Sequence, residues 1–107
     1  MITIEVYETA SGERPFEKWF VRVDRHARAR IQVALGRLEE GNTGSLKSVG
    51  GGVSELKVSF GPGYRVYLGQ QGDRLVILLH GGTKKRQSAD IAKAKALWQD
   101  YLAETSN

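Results

Sequence analysis

The stretch Val53-Ser54-Glu55-Leu56-Lys57-Val58-Ser59-Phe60-Gly61-Pro62-Gly63-Tyr64-Arg65-Val66-Tyr67-Leu68 decides the fold. Leu56, Val58 and Phe60 alternate with Glu55, Lys57 and Ser59, which is the period of a strand with one buried side. Gly61-Pro62-Gly63 reads as a turn, and a second alternating run follows. With a three-residue hairpin loop, Phe60 faces Tyr64, Val58 faces Val66 and Leu56 faces Leu68, so all six share one apolar face. A slip of one residue would set that row against Arg65 and Tyr67 and bury charge. The opposite face then carries Glu55, Lys57, Ser59, Arg65 and Tyr67, which predicts a polar, net-basic sheet surface.

Working outward, Ile2, Ile4 and Val6 alternate as a first strand. Pro15 suits the first position of a helix, where no amide donor is needed, and Phe16, Trp19, Phe20 and Val23 continue at helical spacing. Asp24 is placed to cap a second helix, with Ala27, Ile31, Ala34, Leu35 and Leu38 on one side and arginines on the other. Gly41-Asn42-Thr43-Gly44 ends that helix, and Gly50-Gly51-Gly52 reads as a flexible connection. Three successive strands are expected over residues 54–60, 64–69 and 74–80, with Gly81-Gly82 breaking the last. Ser88 is the expected cap of a final helix with Asp90 in its first turn and Ile91, Ala94, Leu97, Trp98 and Tyr101 as its buried stripe. The order β-α-α-β-β-β-α predicts an α+β fold, a mostly antiparallel sheet with segregated helices, in a single domain over residues 1–107.

Composition narrows the function classes. Apolar residues at 40% and charged residues at 26% suit a globular domain and argue against disorder. The absence of cysteine excludes disulfides, thiolate zinc sites and thiol nucleophiles, and fits a reducing cytoplasm. The first residues lack the basic-then-apolar pattern of a signal peptide, and the longest apolar run, residues 75–79, suits a strand and no membrane span. The net charge is +4 with a pI of about 9.6, which points to an acidic partner or to a solubilising surface. Between Lys84 and Lys95, five cations stand against Asp90 alone, so this one segment equals the whole excess. Arg22, Arg25, Arg28 and Arg30 form a second basic cluster.

Three stretches together resemble a known family: Pro15-Phe16-Glu17-Lys18-Trp19-Phe20; Val53 to Lys57 continuing through Gly63-Tyr64-Arg65-Val66-Tyr67; and Leu78-Leu79-His80-Gly81-Gly82-Thr83-Lys84-Lys85 with Asp90-Ile91 and Ala94-Lys95. In that order they resemble the RelE/ParE superfamily of type II toxins, nearest its branch of phage-derived addiction-module killer proteins, often grouped with HigB-type toxins. The resemblance implies a curved sheet backed by two N-terminal helices, with the last helix near the other side. It implies a cognate antitoxin, commonly a helix-turn-helix protein of the HigA type, and growth arrest as the effect. RelE and HigB types mostly cleave mRNA in the ribosome, so the resemblance implies a cytoplasmic endoribonuclease acting on translation. ParE types instead poison DNA gyrase, and an inactive antitoxin- or nucleic-acid-binding module is a third possibility.

RNA cleavage without a metal needs a base for the 2′-hydroxyl, cations for the phosphate and an acid for the departing 5′-oxygen. The sequence suggests no carboxylate cage, so neither a metal nor another cofactor is expected. Arg65 is the first candidate: its fork donates to phosphate oxygens and an arginine keeps its charge, though it can equally pair with Glu55 or Asp73. The resemblance points the same way, since the arginine of the Tyr-Arg-Val strand recurs in the ribonuclease branch. Arg65→Ala is expected to abolish toxicity and leave the fold intact. Lys57, on the same face by parity, either holds phosphate, transfers a proton, or is simply solvated. Tyr67 either stacks on a base or packs across strands. His80 ends its strand as a proton shuttle or as a structural residue. Lys84, Lys85 and Arg86 precede the last helix and suit phosphate, or an acidic antitoxin segment; Gln87 and Asp90 are weaker candidates for orienting a base or a cation.

Overall fold

A computed structural model describes residues 1–106. Among these residues, five strands form one sheet, β1 (Thr3–Val6), β2 (Leu46–Gly50), β3 (Val53–Val58), β4 (Tyr64–Gln71) and β5 (Leu75–Thr83), in the spatial order β1-β5-β4-β3-β2. Only β1 and β5 run parallel; the other three pairings are antiparallel. The helices are α1 (Pro15–Phe20), α2 (Arg25–Glu39) and α3 (Gln87–Thr105), with a single 3₁₀ turn over Lys84–Arg86 leading into α3. The α+β class and the antiparallel hairpins follow the alternation in the sequence.

The two sides of the sheet bury separate cores. Leu56, Val58, Val66, Leu68, Val76 and Leu78 pack against Phe16, Val23, Ala27, Ile31 and Leu38 of the N-terminal helices and their connection. Val53, Tyr67, Ile77 and Leu79 pack against Ala94, Leu97 and Trp98 of α3. The sheet is thus sandwiched, with α3 covering the side that the hairpin's polar residues occupy. Asp24 caps α2 as expected, accepting from the amides of His26 and Ala27. Gly41, at φ +97°, ends α2 in a Schellman turn, where Asn42 N–H donates to Arg37 and Gly41 N–H to Leu38.

Several local expectations are corrected. The chain has a strand, β2, that the sequence reading missed. Leu46 and Val49, an odd three residues apart on the pleat, face different cores, and a bulge between Ser48 and Gly50 interrupts the pairing, so neither face shows a repeating apolar row. Gly50-Gly51-Gly52 is therefore a tight β2–β3 turn with φ of 91°, 63° and 83°, and no flexible connection. The hairpin loop spans five residues, 59–63: Val58 faces Tyr64, Leu56 faces Val66 and Lys57 faces Arg65. The register differs from the expected one by two residues, an even number, which is why every side chain keeps its predicted face. Gly81 and Gly82 lie within β5 and do not break it. A Cβ on Gly81 would lie 2.2 Å from the Trp19 ring, and one on Gly82 would lie 1.9 Å from the Asp90 carboxylate. These glycines admit close neighbours on the two sides of the strand. Ser88 lies inside α3, whose N-cap position is Arg86.

Candidate functional site

The site is built where the α3-facing side of the sheet meets the 3₁₀ turn. Across β3, β4 and β5, Glu55 stands beside Tyr67 and Tyr67 beside His80; in the next row Lys57 stands beside Arg65 and Arg65 beside Gly82. A bulge in the β4–β5 pairing at Tyr67/Leu68 accommodates Leu79 and His80 on the same side, which aims His80 at α3.

The first turns of α3 seal the inner row. Arg65 and Glu55 form an ion pair with only 6% and 5% of their surfaces exposed. The Gln87 amide lies 3.4 Å from both Glu55 carboxylate oxygens. Tyr67 is fully buried and its hydroxyl has no partner. Burial, with the Glu55 and Asp90 charges, pushes that phenol up to about 12. His80 Nε2 is 3.1 Å from the Asp90 carboxylate, while Nδ1 is buried without a partner. Burial lowers the imidazole pKa, against the opposing Asp90 hydrogen bond and with help from Lys93 and Arg86. The ring is therefore neutral near pH 7.

This arrangement revises the expected open polar face. Tyr67 offers no ring to a nucleobase, because α3 covers it; of its two readings, cross-strand packing is the one its position supports. Arg65 takes Glu55 as its partner, and Arg65→Ala would leave a buried carboxylate uncompensated, so that change is not neutral for the fold. Parity had put Glu55 on this face and the resemblance had put the last helix near it, but the pattern of residues did not show that the helix would seal this row.

Further out, the row opens to solvent. Lys57, Arg65 and Lys84 line one depression of about 280 Å³, together with Ser59, Phe60, Gly61 and Gly63. Two contacts fix its rim: Lys84 N–H donates to the Gly63 carbonyl at 3.3 Å, and the Arg30 guanidinium lies 4.8 Å from the centre of the Phe60 ring. Arg65 Nη1 is buried without a hydrogen-bond partner, on the Gly63 side. Lys57 and Lys84 are exposed, and Lys85 and Arg86 continue the cationic surface along the turn. Gln87 joins them along a neighbouring shallow groove.

His80 does not share the depression. It lines a separate cleft of about 350 Å³ with Trp19, Arg22, Arg86, Asp90 and Lys93. Trp19, which helical spacing assigned to the core, is half-buried and forms one wall of it. Arg22 and Lys93 were visible only as members of basic runs; no local pattern could show that they meet.

Among the described residues, no group of three or more histidine, aspartate or glutamate side chains could hold a metal ion. No helix among them is long and apolar enough to cross a membrane. The chain is 42% identical over 100 residues to a Haemophilus influenzae protein described only as uncharacterized, covering 92% of this chain and 97% of that relative. Residues 18–99 match the family described as phage derived protein Gp49-like (DUF891), a span running from α1 into α3 that contains both the depression and all of the His80 cleft. The chain belongs to this Gp49-like family of phage-derived proteins, a RelE-like toxin family.

Proposed function

We propose that this chain is the toxin of a toxin–antitoxin pair, with a RelE-like fold, and that it arrests translation by cutting mRNA on the ribosome in the cytoplasm. The observation that carries the reading is the convergence of Lys57, Arg65 and Lys84 on one depression. Three cations on two strands and a tethered turn match a phosphate that gains negative charge during reaction. In the reaction the 2′-hydroxyl loses its proton and its oxygen bonds to the adjacent phosphorus. The bond from phosphorus to the 5′-oxygen then breaks, and that oxygen takes up a proton. Lys57 and Lys84 hold the phosphate, and Arg65, steadied by Glu55, lends charge from behind. Lys57 is also the proton-transferring candidate of this depression. His80, held by Asp90, takes part only if the start of α3 lifts. Lys85, Arg86 and Gln87 extend the contact to the RNA backbone.

A toxin family implies an antitoxin in general; a helix-turn-helix protein of the HigA type, masking this cationic end with an acidic segment, is the partner we propose. The test is induction without antitoxin, followed by mapping of RNA 5′ ends, for the parent and for Lys57→Ala, Lys84→Ala and the pair. These side chains are exposed, so folding is expected to survive. New mRNA ends that vanish in the double variant support the reading. DNA damage with intact mRNA would support gyrase inhibition instead. The sealed inner row favours a second reading, binding without chemistry, and harmless expression would support that inactive module.

A further inference from the structure

We infer that the cleft between Trp19 and the start of α3 is a second binding site, for a single nucleotide, with its base against the Trp19 indole and its phosphate among Arg22, Arg86 and Lys93. It lies apart from the depression of Lys57, Arg65 and Lys84 and needs no cleavage, so it stands whether or not the chain is a nuclease.

Three observations carry it. The first is a fixed aromatic wall. Trp19 packs against the Gly81 backbone, where a Cβ would strike its ring at 2.2 Å, and against Phe16, with ring centres 5.8 Å apart. It is nonetheless only partly buried and lines the cleft. An indole held in place loses little entropy on stacking with a base. The second is charge. Arg22, Arg86 and Lys93 come from three separate segments and are all exposed. The cleft's carboxylate, Asp90, is buried and tied to His80, so the rim is cationic. The third is shape. Gly81 and Gly82 leave the wall between Trp19 and Asp90 without side chains, and the cleft's volume is about 350 Å³. That is the small end of ligand sites, room for one nucleotide. An acidic peptide would use the cations but leave the indole idle. A nucleotide uses both.

The test is a titration of the whole protein, watched by ¹⁵N–¹H NMR, with adenosine monophosphate, a single-stranded tetraribonucleotide and inorganic phosphate as probes. The indole signals of Trp19 and Trp98 are told apart with Trp19→Phe. Binding is expected to shift the Trp19 indole and the Gly81 and Gly82 amides and to leave Trp98, buried on the sheet side of α3, in place. Arg22→Ala and Lys93→Ala should each weaken binding about tenfold, as loss of a charge-assisted contact predicts. Lys57→Ala, outside this cleft, should leave the affinity read at the Trp19 indole unchanged, which separates this site from the depression of the cleavage reading. Binding of the mononucleotide alone assigns the cleft to free nucleotides; binding of both assigns it to a strand. No shift at Trp19, or the same shift and affinity with inorganic phosphate, would overturn the inference.

Discussion

Arg65→Ala is the substitution that best tests how the site is held. The guanidinium and the Glu55 carboxylate face each other under α3, each almost wholly removed from water. Truncating Arg65 leaves that carboxylate with only the Gln87 amide, at 3.4 Å. An exposed ion pair contributes about 0–1 kcal/mol, whereas breaking a buried one costs about 3–5 kcal/mol, because the remaining charge is stranded. A domain of this size has about 5–15 kcal/mol in total, so Arg65→Ala is expected to remove about a fifth of it or more. At roughly 4–8 °C per kcal/mol, Tm should fall by at least about 12 °C. Urea unfolding followed by far-UV circular dichroism measures the loss. The double variant Glu55→Leu with Arg65→Met removes both charges and keeps the volume, and should recover most of it. A loss below about 1 kcal/mol for Arg65→Ala would show a solvated pair and refute the sealed row. The outcome also governs how toxicity data are read. Loss of toxicity in Arg65→Ala reports folding as well as chemistry, which is why Lys57 and Lys84 carry the functional test.

Three further predictions concern the surroundings of the site. Gly81→Ala and Gly82→Ala should each destabilise by about 1–3 kcal/mol or more, since a methyl group meets Trp19 or Asp90 well inside contact distance, and thermal melts read this directly. His80 has a pKa lowered from 6.5, so the unfolded chain takes up its proton first as pH falls; the folded state should keep its full stability above about pH 6.5 and lose it progressively below. Urea midpoints at pH 7.5 and pH 5.5 should differ in the parent and differ less in His80→Asn. Asp24→Ala removes the acceptor shared by the His26 and Ala27 amides and should cost about 1 kcal/mol, seen as a lower urea midpoint with an unchanged slope.

How legible the fold was depends on the kind of information each element carries. Alternation along β3 and β4 is local, and it gave the right faces even though the loop was longer than Gly61-Pro62-Gly63 suggested. The α2 cap and Schellman turn are local too, and Asp24 and Gly41 reveal them directly. β2 was hidden because it is short and gives each core a single apolar residue, Leu46 to one and Val49 to the other, so no alternating row marks it. Gly81-Gly82 looked like a break because close packing and chain termination leave the same mark in a sequence.

The sequence by itself therefore determined the α+β class, the hairpin's two faces and the cationic run from Lys84 to Lys95, since each depends on neighbours along the chain. Tertiary structure alone decided what those faces meet. It laid α3 over Glu55, Tyr67 and His80, left Lys57 and Lys84 outside, and divided the basic residues between two clefts. The physical reason is that a side chain's direction is set by the pleat it stands on, while its burial is set by whichever distant segment packs there. No local period encodes that choice.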